Sequence, residues 1–156
     1  MSRIVYKKVA PAVYEAMRSL EQCVKDSALE LPLLELVRTR ASQVNGCAFC
    51  LDMHSKDAIA AGETTQRLIG LSAWRDAPFY TDRERAALAW TETVTKLGHN
   101  GVPDELYAAT REQFDEKELV ELTLAIIAIN GWNRLAIAFH SPEAGSYVAA
   151  TEPKSR

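Results

Sequence analysis

Cys47, Cys50 and His54 stand at i, i+3 and i+7 in Cys47-Ala48-Phe49-Cys50-Leu51-Asp52-Met53-His54, offsets that share one face of an α-helix. If a helix starts at about Cys47, both thiols lie near its unpaired N–H groups and positive dipole end, which favour thiolate. His54 is then one turn below Cys50, placed to take its proton or to hold its anion. Helical neighbours three apart have Cβ atoms roughly 5–6 Å from one another, so a small adjustment closes a disulfide. The chemistry such a set can do is thiol–disulfide exchange or attack on an oxidant, and the spacing predicts a reversible Cys47–Cys50 disulfide. Zinc is the competing use of two cysteines and a histidine, but a structural site commonly has four ligands, and the third cysteine, Cys23, is remote from the pair.

Composition narrows the class. With 18 basic and 21 acidic residues the net charge is −3, no footprint for nucleic acid or an anionic membrane. No run approaches the roughly 20 apolar residues of a membrane span, and Met1 to Lys8 has no signal-peptide core, so a cytoplasmic protein is expected. Three cysteines with one close pair make a poor structural disulfide framework and a better catalytic or metal-binding one. A chain of 156 residues fits one domain spanning 1–156, long enough to bury about two thirds of its unfolded surface.

The elements that must position the cysteines read as helix after helix, with no Val/Ile-rich alternating strand. Pro11 opens a first helix striped by Val13, Met17, Leu20 and Val24, with Cys23 read as a small buried hydrophobe. A second runs from Pro32 to Asn45 and stops at Gly46. The cysteine helix follows to Gly62, then a short piece from Thr64 to Leu71. Thr81-x-x-Glu84 has capping-box spacing before Ala87, Trp90, Val94 and Leu97, and Pro103-Asp104-Glu105 reads as another first turn. Asp115-x-x-Glu118 opens the last helix, whose stretch from Leu119 to Phe139 is apolar nearly all round and should be buried on most sides. That surplus is consistent with a central core helix or with burial between subunits. The tail from Ser141 to Arg156 is aperiodic and expected to be irregular.

Glu35, then Cys47-x-x-Cys50 twelve positions on, then x-x-x-His54, resembles the signature of the alkylhydroperoxidase D-like (AhpD-like) branch of the carboxymuconolactone decarboxylase superfamily. Gly46, Ala58, Ala60, Ala61 and Trp90-Thr91-Glu92 are similar to that family's core, and Asn130-Gly131-Trp132-Asn133-Arg134 to its Asn-x-x-Asn-Arg pattern. The resemblance implies an all-α fold of about six or seven helices with Cys-x-x-Cys at the start of a central one. It also implies a homotrimer or a hexamer built from trimers. The implied activity is a peroxidase using no cofactor or metal, fed by a lipoyl- or thioredoxin-like dithiol. In the family the second cysteine attacks the peroxide and the first resolves it, so Cys50 would be peroxidatic and Cys47 resolving, at the helix entrance where a reductant can reach it. Glu35 would orient His54 or relay its proton, although helical periodicity alone reads Glu35 as a solvated residue beside Arg38. The best-known members have a second histidine between the cysteines, where this chain has Ala48-Phe49, one proton relay fewer. Two other classes share the scaffold: a carboxymuconolactone-type decarboxylase, for which a vicinal dithiol has no obvious use, and a redox sensor that reacts without turning over. Asn130, Asn133 and Arg134 are expected to satisfy polar groups, and His99 and His140 have no assigned role.

Overall fold

Local chemistry at the chain's turns sets where its helices begin and end. In the computed structural model, which describes residues 2–149, the elements are α1 (Tyr6–Val9), α2 (Pro11–Lys25), α3 (Leu31–Asn45), α4 (Ala48–Ala60), α5 (Thr65–Gly70), a 3-10 turn (Leu71–Ala73), α6 (Asp82–Thr95), α7 (Asp104–Arg111) and α8 (Glu116–Phe139). No strand occurs among the described residues, so the fold is all-α. Thr81 and Asp115 each form a complete capping box with Glu84 and Glu118. Gly46 ends α3 at φ 71°, the left-handed conformation that glycine adopts without a Cβ penalty.

Among the described residues there are eight α-helices, one more than the upper expectation of seven. The extra one is α1, a single turn too short to show a periodic stripe, whose Tyr6 ring lies 6.1 Å from Phe139 and 6.4 Å from Tyr14. Leu97 does not belong to the α6 stripe: the helix stops at Thr95 and Leu97 is exposed. Cys23 is exposed as well, correcting its reading as a core residue, because the buried side of α2 is the one that carries Val24. From Ser141 to Ala149 the chain is irregular, as expected; the rest of the tail lies outside the described residues.

Helix α3 is the hub, packed on α4, α6 and α8. Val24, Leu33, Val37, Phe114, Leu122 and Ile126 form the main core, and Leu36, Leu71, Trp74, Tyr80 and Leu88 a second cluster. A third joins Ala41, Cys47, Cys50, Ile129 and Ala136, so the cysteines are themselves core residues. Where α2 crosses α8, Gly131 admits the Met17 side chain to 2.8 Å from where a Cβ would sit. The long α8 buries Leu122, Ile126 and Ile129 but leaves Val120, Ile127 and Ile137 exposed, a narrower burial than its composition predicts. It is long and apolar enough to cross a membrane by length and composition alone, and 44% of that apolar stretch is buried inside the fold.

Side-chain amides, with Asn133 fully buried, hold α8 to α3 and α6. Asn45 donates to the side-chain oxygens of Asn133 at 2.8 Å and Asn130 at 2.9 Å, Asn133 donates to Ser42 Oγ at 3.1 Å, and Asn130 donates to Thr95 Oγ1 at 2.9 Å. These bonds satisfy polar groups that would be costly to bury unpaired. They also pin the Asn45-Gly46-Cys47 turn, which sets where α4 starts.

Candidate active site

Cys47 is the N-cap of α4, with extended backbone at φ −87°, ψ 97°, and Cys50 is the third residue of the helix. The helix therefore starts one residue later than the spacing alone predicts. Cys50 lies in the first turn, among N–H groups with no intrahelical acceptor. The two residues are paired as a disulfide with Cα atoms 5.4 Å apart. Both side chains are buried, each residue only 1% exposed. Cys47 is thus less open than a residue at a helix entrance would be, because Ile129 and Ala136 of α8 pack over that turn. It lines a hollow of about 410 Å³ together with Gly46, Ile137, His140 and Pro142. Cys50 lines a different and larger cavity of about 1080 Å³, walled by Phe49, Met53, Tyr14, Trp132 and His54 among others.

His54 and Glu35 are both buried, and His54 Nδ1 lies 2.9 Å from Glu35 Oε2. An ionised carboxylate only accepts, so against it Nδ1 is the donor and Nε2 is the nitrogen left to accept a proton. The helical-wheel expectation that Glu35 is solvated is overturned: α3 is covered by α4, α6 and α8, so its polar side is buried too, as Arg38, Thr39 and Ser42 also show. Arg38 Nη1 donates to Glu35 Oε1 at 2.6 Å, and its Nη2 pairs with Glu21 of α2. Burial pushes the Glu35 carboxyl up, yet the hydrogen bond and charge of His54, followed by those of Arg38, outweigh it and hold the group below the usual glutamate range.

The structure adds residues that sequence reasoning did not assign. Asp57 follows Cys50 by seven and His54 by three, so the same helical periodicity that paired those two could have found it. It joins Glu35 and His54 in a group whose ligand-type atoms all lie within 4.8 Å of one another. Such a group has the composition of a cation cage, but Glu35 Oε1 is taken by Arg38 and Asp57 Oδ1 accepts from the Tyr147 hydroxyl at 2.7 Å. Each carboxylate thus already accepts from a side-chain donor on one oxygen. Tyr147 comes from the irregular tail, where no pattern announces it. Burial, then its bond to Asp57, push its hydroxyl pKa up to about 12, so it is a fixed donor at neutral pH. The tail is strapped to α4: Lys56 Nζ reaches Tyr147 O at 2.9 Å, and Asp52 accepts from Gly145 N at 3.1 Å.

Because the folded-state pKa of Glu35 is depressed, its ionised form contributes stability that is complete above the unfolded value near 4.5 and disappears as pH falls from there through the folded value. Urea midpoints of the wild type should therefore be flat with respect to this group above about pH 5.5 and fall below about pH 4.5. The Glu35→Gln variant should fall less steeply over that acid window. Equal slopes would remove Glu35 as a contributor.

The profile of the carboxymuconolactone decarboxylase family matches residues 11–93. YdfG of Bacillus subtilis (strain 168) is 45% identical over 136 residues, covering 87% of this chain and 92% of YdfG. YnjA of Escherichia coli (strain K12) is 31% identical over 117 residues, 75% of this chain and 62% of YnjA. Among solved structures, ATU0492 of Agrobacterium tumefaciens, of unknown function and suggested to be the antioxidant defence protein AhpD, superposes with a TM-score of 0.87 at 43% identity, covering 90% of this chain and 97% of that one. A variant of the debrominase Bmp8 in complex with 2,3,4-tribromopyrrole superposes with a TM-score of 0.74 at 20% identity, covering 84% and 70%, a likeness of fold alone.

Proposed function

Since this chain belongs to the carboxymuconolactone decarboxylase family and has its AhpD-like helical fold, we propose that it is a thiol-dependent peroxidase working through a Cys47/Cys50 dithiol–disulfide cycle. The observation that carries the reading is the placement of Cys50 on the cavity it shares with His54, whose Nδ1 is held by Glu35. In the reduced protein, His54 takes the Cys50 proton or holds its thiolate, which the unpaired N–H groups of the first turn also favour. The thiolate attacks the terminal oxygen of a hydroperoxide; the O–O bond breaks, the alcohol leaves after protonation, and Cys50 becomes a sulfenic acid. The Cys47 thiol displaces water from it and the disulfide forms. An external dithiol then reduces the disulfide by exchange and is itself oxidised. Since both sulfurs are buried and Cys47 is approached through a small hollow, a slender dithiol such as a lipoyl arm fits better than a broad protein surface. A reducing compartment, the cytoplasm, suits such a cycle.

A family-type decarboxylase fits this site less well. The buried cation of the site, the Arg38 guanidinium, is committed to Glu35 and Glu21 rather than open to a substrate carboxylate. The Bmp8 likeness shows that a similar scaffold serves a debrominase, but no residue here singles out a halogenated substrate.

Turnover separates the enzyme from a redox sensor. Supplied with excess dihydrolipoamide or dithiothreitol, the protein should consume many equivalents of hydroperoxide per chain. Consumption that halts after one equivalent would mean a sensor, and no consumption by the reduced protein would sink the peroxide reading altogether.

A further inference from the structure

A guanidinium that is only 5% exposed needs acceptors, and Arg38 has two carboxylates. One arm donates to Glu35 Oε1 at 2.6 Å and the other pairs with Glu21, whose second oxygen accepts from Trp132 Nε1 at 3.3 Å. A continuous chain thus runs Trp132–Glu21–Arg38–Glu35–His54, drawing on α8, α2, α3 and α4 and ending at the histidine one turn from Cys50. We propose that Arg38, braced by Glu21, is a positioning residue that holds Glu35 as an oriented carboxylate against His54 Nδ1 and so keeps Nε2 as the basic nitrogen of the site.

The groups facing this pair explain why a permanent cation is needed. From α4 come Cys50 and Asp57, from α2 Glu21, from α3 Arg38, and from the tail Tyr147, whose hydroxyl is on Asp57. Asp57 places a second carboxylate near Glu35, and burial adds a desolvation penalty that pushes the Glu35 carboxyl toward its neutral form. His54 opposes that penalty with a full charge only while it is an imidazolium, whereas Arg38 is charged at every accessible pH. A neutral Glu35 would be free to donate its own proton to Nδ1. The imidazole proton would then sit on Nε2, which could no longer accept from the thiol. Arg38 touches none of the reacting atoms and acts through Glu35.

The inference uses the peroxidase reading to give the thiol its purpose, but its test needs no peroxide. In a Cys23→Ser/Cys47→Ser background Cys50 is the sole thiol, and its iodoacetamide alkylation rate can be followed from pH 5 to pH 9. With Arg38→Met added, the acid limb of the profile should move up by about one pH unit, so the rate falls about tenfold near pH 5.5 and less than about threefold above pH 8. Arg38→Lys keeps the charge but not the two-armed geometry; it should lower the rate a few-fold at every pH and leave the limb in place. A purely structural arginine would give parallel profiles throughout, and that result for Arg38→Met would overturn the proposal. Where Arg38→Met fails to fold, Glu35→Gln is compared with Glu35→Gln/Arg38→Met: coincident limbs support the proposal and separate limbs overturn it. A shifted limb in a protein without peroxide turnover would sink the peroxidase reading and leave the role of Arg38 standing. Turnover with an unmoved limb would do the reverse.

Discussion

Cys50→Ser is expected to abolish dithiol-dependent peroxide consumption, a fall of at least about a thousandfold, because a serine hydroxyl cannot supply the anionic nucleophile at neutral pH. Cys47 cannot stand in for it. Its side chain opens on the small hollow beside Ile137 and His140, whereas Cys50 and His54 line the larger cavity. Cys47→Ser should behave differently: one equivalent of peroxide is still reduced, and the product is a Cys50 sulfenic acid with no thiol to resolve it, detectable by a dimedone adduct on the peptide. Mass spectrometry of the wild type after peroxide should instead show the Cys47–Cys50 peptide lighter by about two hydrogen masses and closed to alkylation. Full activity in Cys50→Ser, or an adduct on Cys47 in the wild type, would reverse the assignment.

The second large effect divides two residues that the sequence treats alike. Ile129 is 2% exposed and packs with Ala41, Cys47, Cys50 and Ala136, whereas Ile127, two positions away on α8, is 52% exposed. Ile129→Asp places an unpaired carboxylate in the core under the cysteine turn and is expected to cost about 4 kcal/mol or more, most of the roughly 5–15 kcal/mol that holds a domain folded. Loss of the helical circular dichroism transition, or insoluble expression, is the outcome to look for. Ile127→Asp should leave the fold intact. Ile127 and Val120, two turns apart on α8, are exposed apolar side chains of the kind that self-association covers. We propose a trimer or a multiple of it, so light scattering at micromolar concentration should give a mass of three chains or more for the wild type and a smaller one for Ile127→Asp. A monodisperse wild-type monomer would contradict the assembly and leave the cysteine chemistry untouched.

What could be read without coordinates was what depends on near neighbours in the chain. The capping boxes at Thr81 and Asp115, the left-handed stop at Gly46 and the helical rise that brings Cys47 within reach of Cys50 each involve residues at most seven apart. Backbone hydrogen bonding and helical pitch settle such relations whatever the rest of the chain does. The same locality allowed Cys50 and His54 to be paired by spacing. Asp57, on the same stripe, was as legible but carried no motif to draw the eye.

Tertiary packing decided the rest, because burial depends on how many faces of a helix are covered, and one sequence pattern serves for one covered face or three. Glu35 reads as solvated on a wheel with a single apolar stripe; with α4, α6 and α8 all packed on α3 it becomes a buried carboxylate against His54 and Arg38. Cys23 shows the opposite error, a side chain read as buried but left on the outside, and Ile127 is exposed in the single chain although its helix is apolar nearly all round. Glu21 and Tyr147 enter the site across sequence separations of 17 residues to Arg38 and 90 to Asp57, with no spacing rule to announce them. The local sequence determined which helices form and which two thiols can meet. Only the packing of those helices decided which charges surround them, since desolvation and Coulomb energy follow distance in space rather than distance along the chain.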